Sequence, residues 1–227
     1  MWLKLWISLF IINYFSIKKN NWLYYNIKSV NIRELCIMRD KIVEILEESN
    51  RLIALLIRDH VNEINSMVEL IITAYKTGKK VVLFGNGGSA TDAQHIAGEL
   101  VGRFKLERKG LRAIALTVDI SVITSIANDY GYENIFSRQI EAHVDEGDIV
   151  IGISTSGKSP NVLKGLRVAR SRGAKLLGLT GKYGNALKEI SDVTIMVPSE
   201  NTPRIQEAHI TIGHIICELV ERKLFEK

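Results

Sequence analysis

The chain has 227 residues, a net charge of +5 and a hydrophobic content of 46%. This length fits one domain or at most two small ones, and the composition excludes a disordered, collagen-like or low-complexity chain. Basic chains often bind nucleic acids or membrane surfaces, but here the charge is unevenly placed. Residues 1–37 carry +4 and all three tryptophans, and the other 190 residues carry only +1. The sequence therefore predicts an N-terminal extension, 1–37, and a body, 38–227, that does not bind nucleic acid.

Three interpretations of residues 1–37 remain open. The apolar run at residues 2–17 is shorter than the roughly 20 residues that a membrane-spanning helix needs, and no cleavage site of small residues follows it. The favoured interpretation is that translation begins at Met38, which precedes a regular helical pattern. A peripheral membrane helix and an extra packed helix are the alternatives. We therefore expect residues 38–227 to form a single working domain without membrane binding.

Two cysteines, Cys36 and Cys217, make up the whole cysteine content. Two such residues, one in the extension and one in an apolar helical pattern, provide no disulfide framework. Their scarcity favours a reducing cytoplasm as the location of the protein.

The body begins with helices and continues with alternating strands and helices. Apolar residues recur at helical spacing over 39–77, which predicts two helices with a break near 59–62 and an end at Gly78. Short apolar runs between helical segments then indicate a parallel sheet with both faces covered. A last helix is predicted over 203–225. The fold class is α/β, a three-layer αβα sandwich plus N-terminal helices. The five predicted strands are 80–84, 113–117, 149–153, 176–180 and 193–197.

Two loops follow predicted strands, at the sheet edge where open parallel sheets bind their ligands. The first, Gly85-Asn86-Gly87-Gly88-Ser89, is rich in glycine, which lets backbone N–H groups approach an anion at a helix N-terminus. It is neither a Walker A nor a Rossmann motif. The second, Ser154-Thr155-Ser156-Gly157-Lys158-Ser159, has four hydroxyls and precedes Pro160. The hydroxyl of Ser159 would suffice as a helix cap, so four of them predict a neutral cradle for a phosphate.

Four motifs together resemble the sugar isomerase (SIS) domain, and within it the phosphoheptose isomerases. The resemblance covers about residues 40–225, and residues 1–37 have no counterpart in it. It implies a SIS-type, flavodoxin-like sheet and a homotetramer in which helices complete neighbouring sites. The motifs are Gly85-Asn86-Gly87-Gly88-Ser89, Asn128-Asp129-x-Gly131, Ser154-Thr155-Ser156-Gly157-x-Ser159 and Arg204-Ile205-Gln206-Glu207-x-His209.

The activity that this resemblance implies is an aldose–ketose isomerisation. Sedoheptulose 7-phosphate would become D-glycero-D-manno-heptose 7-phosphate by proton transfer through an enediol. This reaction is the first step toward ADP-heptose precursors for lipopolysaccharide or other surface sugars. It needs an acid and a base but no nucleotide cofactor.

The resemblance also implies the roles of individual residues. Glu99 would be the general base and His214 the partnering acid or base, an arrangement that suits proton transfer. His209 is expected to cap or pack. Arg103 could supply positive charge or make an ion pair between subunits. The implied substrate-binding residues are Asn86, Gly87, Gly88, Glu99, Asn128, Asp129, Ser154, Thr155, Ser156, Ser159 and Gln206.

Zinc is a further implication. Some phosphoheptose isomerases bind it at the positions of His95, Glu99, Gln206 and His214. His95 and Glu99 are four apart and share a helix face, and imidazole plus carboxylate suits zinc. Glutamine is a poor zinc ligand, so one zinc ion per subunit stays an open expectation.

Two other functions fit part of the pattern. A non-catalytic SIS protein that binds a sugar phosphate, or that associates with a bacterial replication initiator, shares the same loops. Such relatives lack the equivalents of Glu99 and His214, which are both present here. A SIS isomerase acting on pentose or hexose phosphates is the other possibility. Glu99 and the Arg204-Ile205-Gln206-Glu207 motif favour a heptose.

Overall fold

The computed structural model describes residues 32–226, with their side chains from Cys36 onward. These residues form two compact units, 32–47 and 48–226. Residues 1–31, which include the apolar run, lie outside the described part, so the three interpretations of the extension stay predictions. None of the helices within residues 32–226 is long and apolar enough to cross a membrane.

The first unit is helical. Helix α1 (Ile32–Asp59) starts ahead of the predicted helical pattern and runs through Met38 without a break. The expected boundary between residues 37 and 38 therefore lies inside a helix. Several apolar side chains of this unit are exposed, namely those of Ile37, Met38, Ile42 and Leu46.

Helix α2 (Val61–Lys76) follows a break at His60, where the sequence predicts one. The chain leaves this helix through Gly78, whose φ of 76° lies in the left-handed region that glycine adopts without strain. Both the predicted break and the predicted stop are confirmed. The apolar positions that predicted the helix are buried, at Ile64, Met67, Val68, Ile71 and Ile72.

Five strands form one sheet, and every neighbouring pair is parallel. The strands are β1 (Val81–Gly85), β2 (Ala113–Ala115), β3 (Ile149–Ser154), β4 (Lys175–Gly181) and β5 (Val193–Val197). All five predicted strands are present, although β2 is shorter than predicted. The order is β2-β1-β3-β4-β5, so β1 and β3 lie side by side.

Helices cover both faces of the sheet, which confirms the three-layer αβα sandwich. The helices after α2 are α3 (Gly88–Val101), α4 (Ile120–Tyr130), α5 (Ser137–His143), α6 (Pro160–Ser171), α7 (Asn185–Ile190) and α8 (Thr202–Phe225). One core cluster joins the sheet to α2, α3 and α8, and it includes Met67, Ile96 and Ile212. The second core cluster joins the other face to α4–α7 and includes Phe84 and Phe136. A 3₁₀ turn, Tyr132–Asn134, precedes α5.

Candidate active site

The two loops singled out by sequence lie next to each other, because β1 and β3 are neighbours in the sheet. Their contact requires glycine at Gly85, where a Cβ atom would lie 2.7 Å from the carbonyl oxygen of Ile153. Gly87 has a φ of 57° and immediately precedes α3. Gly85 thus allows the two loops to approach each other closely, and Gly87 allows a sharp turn into the N-terminus of α3.

Three of the four hydroxyls of the second loop gather at the N-terminus of α6. The Ser154 Oγ lies 3.1 Å from the Ser159 Oγ and 3.5 Å from the Ser156 Oγ. The backbone N–H of Gly157 donates to the Ser154 Oγ. Ser159 occupies the N-cap position and Pro160 starts the helix, but the Ser159 side chain makes no capping hydrogen bond. The Ser159 hydroxyl therefore belongs to the hydroxyl cluster and does not cap the helix.

A pair of asparagines joins the two loops. The Asn86 Nδ2 donates to the Asn161 Oδ1, and the Asn161 Nδ2 donates to the Asn86 Oδ1, both at 2.9 Å. The Tyr132 hydroxyl also donates to the Asn86 Oδ1, at 3.1 Å. The carboxamide of Asn86, expected to bind sugar, is thus already held by two protein side chains. Beside it opens a cavity of about 480 Å³, lined by Asn86, Tyr132, Glu133, Ser159, Pro160 and Asn161.

Three of the four positions expected to bind zinc come together between α3 and α8. The His95 Nε2 lies 3.2 Å from the Glu99 Oε1 and 3.3 Å from the His214 Nε2. One ligand atom from each residue falls within 4.8 Å of the others. The side chain of Glu99 is 26% exposed and that of His95 is 50% exposed. The cluster therefore combines a carboxylate and two imidazoles at a surface that solutes can reach.

Gln206, the fourth position, belongs to the N-terminal part of α8, and its side chain reaches the start of α3. Its amide fills the space above Gly88, where a Cβ atom would lie 2.0 Å from the Gln206 Nε2. A larger side chain at residue 88 would displace this amide, which lies next to the first loop. A role of Gln206 as a metal ligand stays a prediction.

The other expected substrate residues lie on exposed segments. Asn128 and Asp129 are in the last turn of α4, and the Asn128 Nδ2 donates to the Asp129 Oδ1 at 2.8 Å. The Arg103 Nε lies 3.7 Å from a carboxylate oxygen of Glu107, with both side chains largely exposed. The roles proposed for Asn128, Asp129 and Arg103 stay predictions.

Comparison with known proteins gives the family. The family model of the SIS domain matches residues 45–181. A protein of Citrifermentans bemidjiense named phosphoheptose isomerase is 58% identical over 164 residues, which are 72% of this chain and 85% of that protein. The chain belongs to the phosphoheptose isomerase family of SIS-domain proteins. A second phosphoheptose isomerase, from Geobacter sulfurreducens, is 52% identical over 188 residues, 83% of this chain and all of that protein.

Solved structures agree with this membership. The phosphoheptose isomerase of Neisseria gonorrhoeae has a TM-score of 0.77 at 36% identity, with 81% of this chain and 98% of that chain covered. The phosphoheptose isomerase of Francisella tularensis has a TM-score of 0.79 at 35% identity, with 82% and 98% covered. The chain is therefore an isomerase, and its SIS-type fold is confirmed.

Two residues of the candidate site, Asp92 and Asn161, were not predicted from the sequence. Asp92 lies one turn before His95, and burial raises the pKa of its carboxyl to about 6 although the charge of His95 acts to lower it. Asn161 is 2% exposed and completes the amide pair. The spacing of Asp92 and His95 on one helix face was available as a signal. Nothing in the local pattern marked Asn161, because its partner is distant in the sequence.

Proposed function

We propose that this isomerase converts sedoheptulose 7-phosphate into D-glycero-D-manno-heptose 7-phosphate. The observation that carries the proposal is the convergence of the Glu99 carboxylate and the His214 imidazole around His95, within 4.8 Å of one another. A carboxylate and an imidazole in reach of one small molecule are what an enediol mechanism needs. The proposed product feeds the synthesis of ADP-heptose for surface sugars.

The proposed reaction moves one proton between adjacent carbons and one between their oxygens. Glu99 takes a proton from C1 of the ketose, which leaves an enediol, and returns a proton to C2. His214 transfers a proton between the oxygens on these two carbons, because an imidazole can both donate and accept a proton. Oxidation at C1 balances reduction at C2, so no external oxidant or reductant takes part.

The hydroxyl cluster is proposed to bind the phosphate. The Oγ atoms of Ser154, Ser156 and Ser159 meet at the N-terminus of a twelve-residue helix, where the positive end of the helix dipole favours an anion. Hydroxyls and N–H groups can bind a phosphate without a lysine or arginine. This is consistent with a body whose net charge is only +1.

We propose that zinc binds to His95, Glu99 and His214. Two imidazoles and a carboxylate form a donor set that suits zinc. Their ligand atoms lie close together, with separations of 3.2 Å and 3.3 Å for two of the pairs, and all of them fall within 4.8 Å of one another. When bound, zinc would polarise the oxygens of the substrate. Gln206 is proposed as a fourth, weaker ligand.

A homotetramer and a cytoplasmic location are further parts of the proposal. Gly88 and Glu99 are eleven residues apart on α3, or about 16 Å at 1.5 Å per residue. The glycine loop and the acid–base pair of one chain are therefore separated along the helix, which supports a site that neighbouring subunits complete. The two free cysteines support a reducing compartment.

The proposal is tested by incubating the full chain with sedoheptulose 7-phosphate and following the aldose product by NMR, with and without a chelator. We expect turnover, and we expect the chelator to abolish it unless zinc is restored. No turnover with added zinc would overturn the isomerase assignment and favour a phosphosugar-binding role. Full turnover in the chelator-treated, metal-free protein would overturn the zinc proposal alone.

A further inference from the structure

A buried ion pair holds the end of the helix that carries Glu99. The Arg108 Nε donates to the Glu221 Oε1 at 3.0 Å, and their side chains are 2% and 1% exposed. The same guanidinium donates to the backbone carbonyl of Glu99 at 2.9 Å. It also donates to the carbonyls of Leu100 and Gly102, at 2.7 Å and 3.0 Å. One arginine thus bonds to the peptide group of the proposed base and to its neighbours.

The last turn of α3 needs such an anchor. The final four carbonyls of a helix have no partner within the helix, and Glu99 lies among them, since α3 ends at Val101. Gly98 and Gly102 flank this turn, and each glycine favours fraying. A guanidinium with five donors can bond to several carbonyls at once, and its charge suits the negative end of the helix dipole.

Glu221 extends the same network to the loop after α3. It accepts hydrogen bonds from the backbone N–H groups of Phe104, Lys105 and Leu106, at 2.9, 2.6 and 2.9 Å. Burial alone would raise the pKa of Glu221, but these bonds and the bond from Arg108 lower it to about 2. The carboxylate therefore stays charged and keeps the loop against α8.

This loop carries the side chain that touches His214. The Phe104 ring centroid lies 5.7 Å from that of His214, with the ring planes at 40°. Glu221 is seven residues beyond His214 on α8, which places the two within about 20° on the same helix face. The network thus contacts both members of the acid–base pair, Glu99 through its backbone and His214 through Phe104.

We propose that Arg108 and Glu221 are positioning residues for the isomerisation, and that Phe104 orients the His214 ring. This inference rests on the proposed function of Glu99 and His214. Without the pair, the last turn of α3 loosens and the two groups lose their alignment. Small displacements of reacting groups reduce turnover strongly even when substrate still binds.

The test compares kcat and KM for sedoheptulose 7-phosphate among variants of the full chain. We expect Arg108→Lys, Glu221→Gln and Phe104→Leu each to lower kcat by about tenfold or more, with KM changed less than about threefold. Phe104→Tyr keeps an aromatic ring and should retain most of the activity. Glu107→Gln is the matched control in the same loop, because the side chain of Glu107 is 93% exposed and the change removes its ion pair with Arg103.

Thermal melting of each variant separates positioning from stability. Phe104→Leu keeps the buried ion pair, so it remains informative if Arg108→Lys or Glu221→Gln fails to fold. Wild-type kcat per folded molecule in Phe104→Leu and in every folded ion-pair variant would overturn the inference while the proposed function stands. A wild-type chain with no turnover would instead overturn the proposed function, and this inference with it.

Discussion

Two histidines of helix α8 lie in opposite environments. His214 is partly exposed and lies 3.3 Å from His95, whereas His209 is fully buried. Among the described residues, no hydrogen-bond partner is present for either ring nitrogen of His209. Burial lowers the pKa of His209 to about 4, although the backbone of Thr180 acts to raise it. His209 is therefore a neutral core side chain, in agreement with the expectation that it packs.

The lowered pKa of His209 predicts sensitivity to acid. An unfolded histidine has a pKa near 6.5, so between about pH 6.5 and pH 4 the unfolded chain binds more protons than the folded one. Stability is therefore complete above pH 6.5 and is lost as the pH falls toward 4. We expect the protonation of this histidine in the unfolded chain to lower the free energy of unfolding by about 2 kcal/mol between pH 7 and pH 5.

The measurement is urea unfolding of the wild type and of His209→Leu over this pH range. As the pH falls, the free energy of unfolding should decrease more for the wild type than for His209→Leu. His143→Asn, at an exposed position, is the control and should follow the wild type. Parallel curves for His209→Leu and the wild type would show that His209 does not carry the effect.

Functional residues that belong to a short sequence motif could be predicted from the sequence. Residues whose role depends on a contact with a distant part of the chain could not. The spacing of His95 and Glu99 and the motif around Gln206 indicated side chains that do lie near α3. Arg108 and Glu221 had no such signal, since a charged residue in a sequence resembles a solvated one until its buried partner is known.

At the scale of single elements, the loop between β3 and α6 combines two tasks. It starts a helix, and it gathers three hydroxyls, with those of Ser156 and Ser159 within 3.5 Å of the Ser154 Oγ. The helix start needs little from the Ser159 hydroxyl, which makes no capping bond, because Pro160 presets the first turn. The hydroxyl is therefore available to a ligand.

Because Pro160 starts the helix and the Ser159 hydroxyl is free to bind a ligand, Ser159→Ala should weaken substrate binding without destabilising the fold. We expect KM for the phosphosugar to rise about tenfold or more, the scale of one hydrogen bond to a charged group, with kcat little changed. The melting temperature should stay close to that of the wild type. Ser171→Ala, at the far end of the same helix, is the control. An unchanged KM together with a clear loss of stability would instead assign Ser159 to capping.

The boundaries of the elements show where the sequence pattern is weak. Strands β1, β3, β4 and β5 agree with the apolar runs within about two residues, because buried parallel strands are apolar throughout. Strand β2 ends at Ala115, although its apolar run continues to Leu116. Its pairing partner is β1 alone, so tertiary contacts and not the pattern set its length.

At the scale of the whole molecule, strand order creates the site. Placing β1 between β2 and β3 brings the glycine loop and the hydroxyl loop together, at the point where the chain reverses its direction across the sheet. The asparagine pair of Asn86 and Asn161 links these loops. The alternation of strands and helices predicted the sheet, and the resemblance implied its order.

The N-terminal extension, residues 1–37, is predicted to be dispensable for folding and turnover. We expect a chain that begins at Met38 to fold, to melt within a few degrees of the full chain and to keep its turnover, because the +4 charge and the three tryptophans lie outside the enzymatic body. Melting and NMR turnover assays of the two chains check this. Insolubility or inactivity of the shorter chain, with an active full chain, would show that residues 1–37 belong to the working protein.

The role of Glu99 as the base of a heptose phosphate isomerisation is tested by Glu99→Gln. The measurement is kcat for sedoheptulose 7-phosphate, with substrate binding followed by calorimetry and zinc content determined on the same samples. Glu107→Gln, at a glutamate that is 93% exposed, is the control. We predict a loss in kcat of at least ~10²-fold in Glu99→Gln with substrate binding retained. Turnover close to that of the wild type would show that Glu99 is not the base.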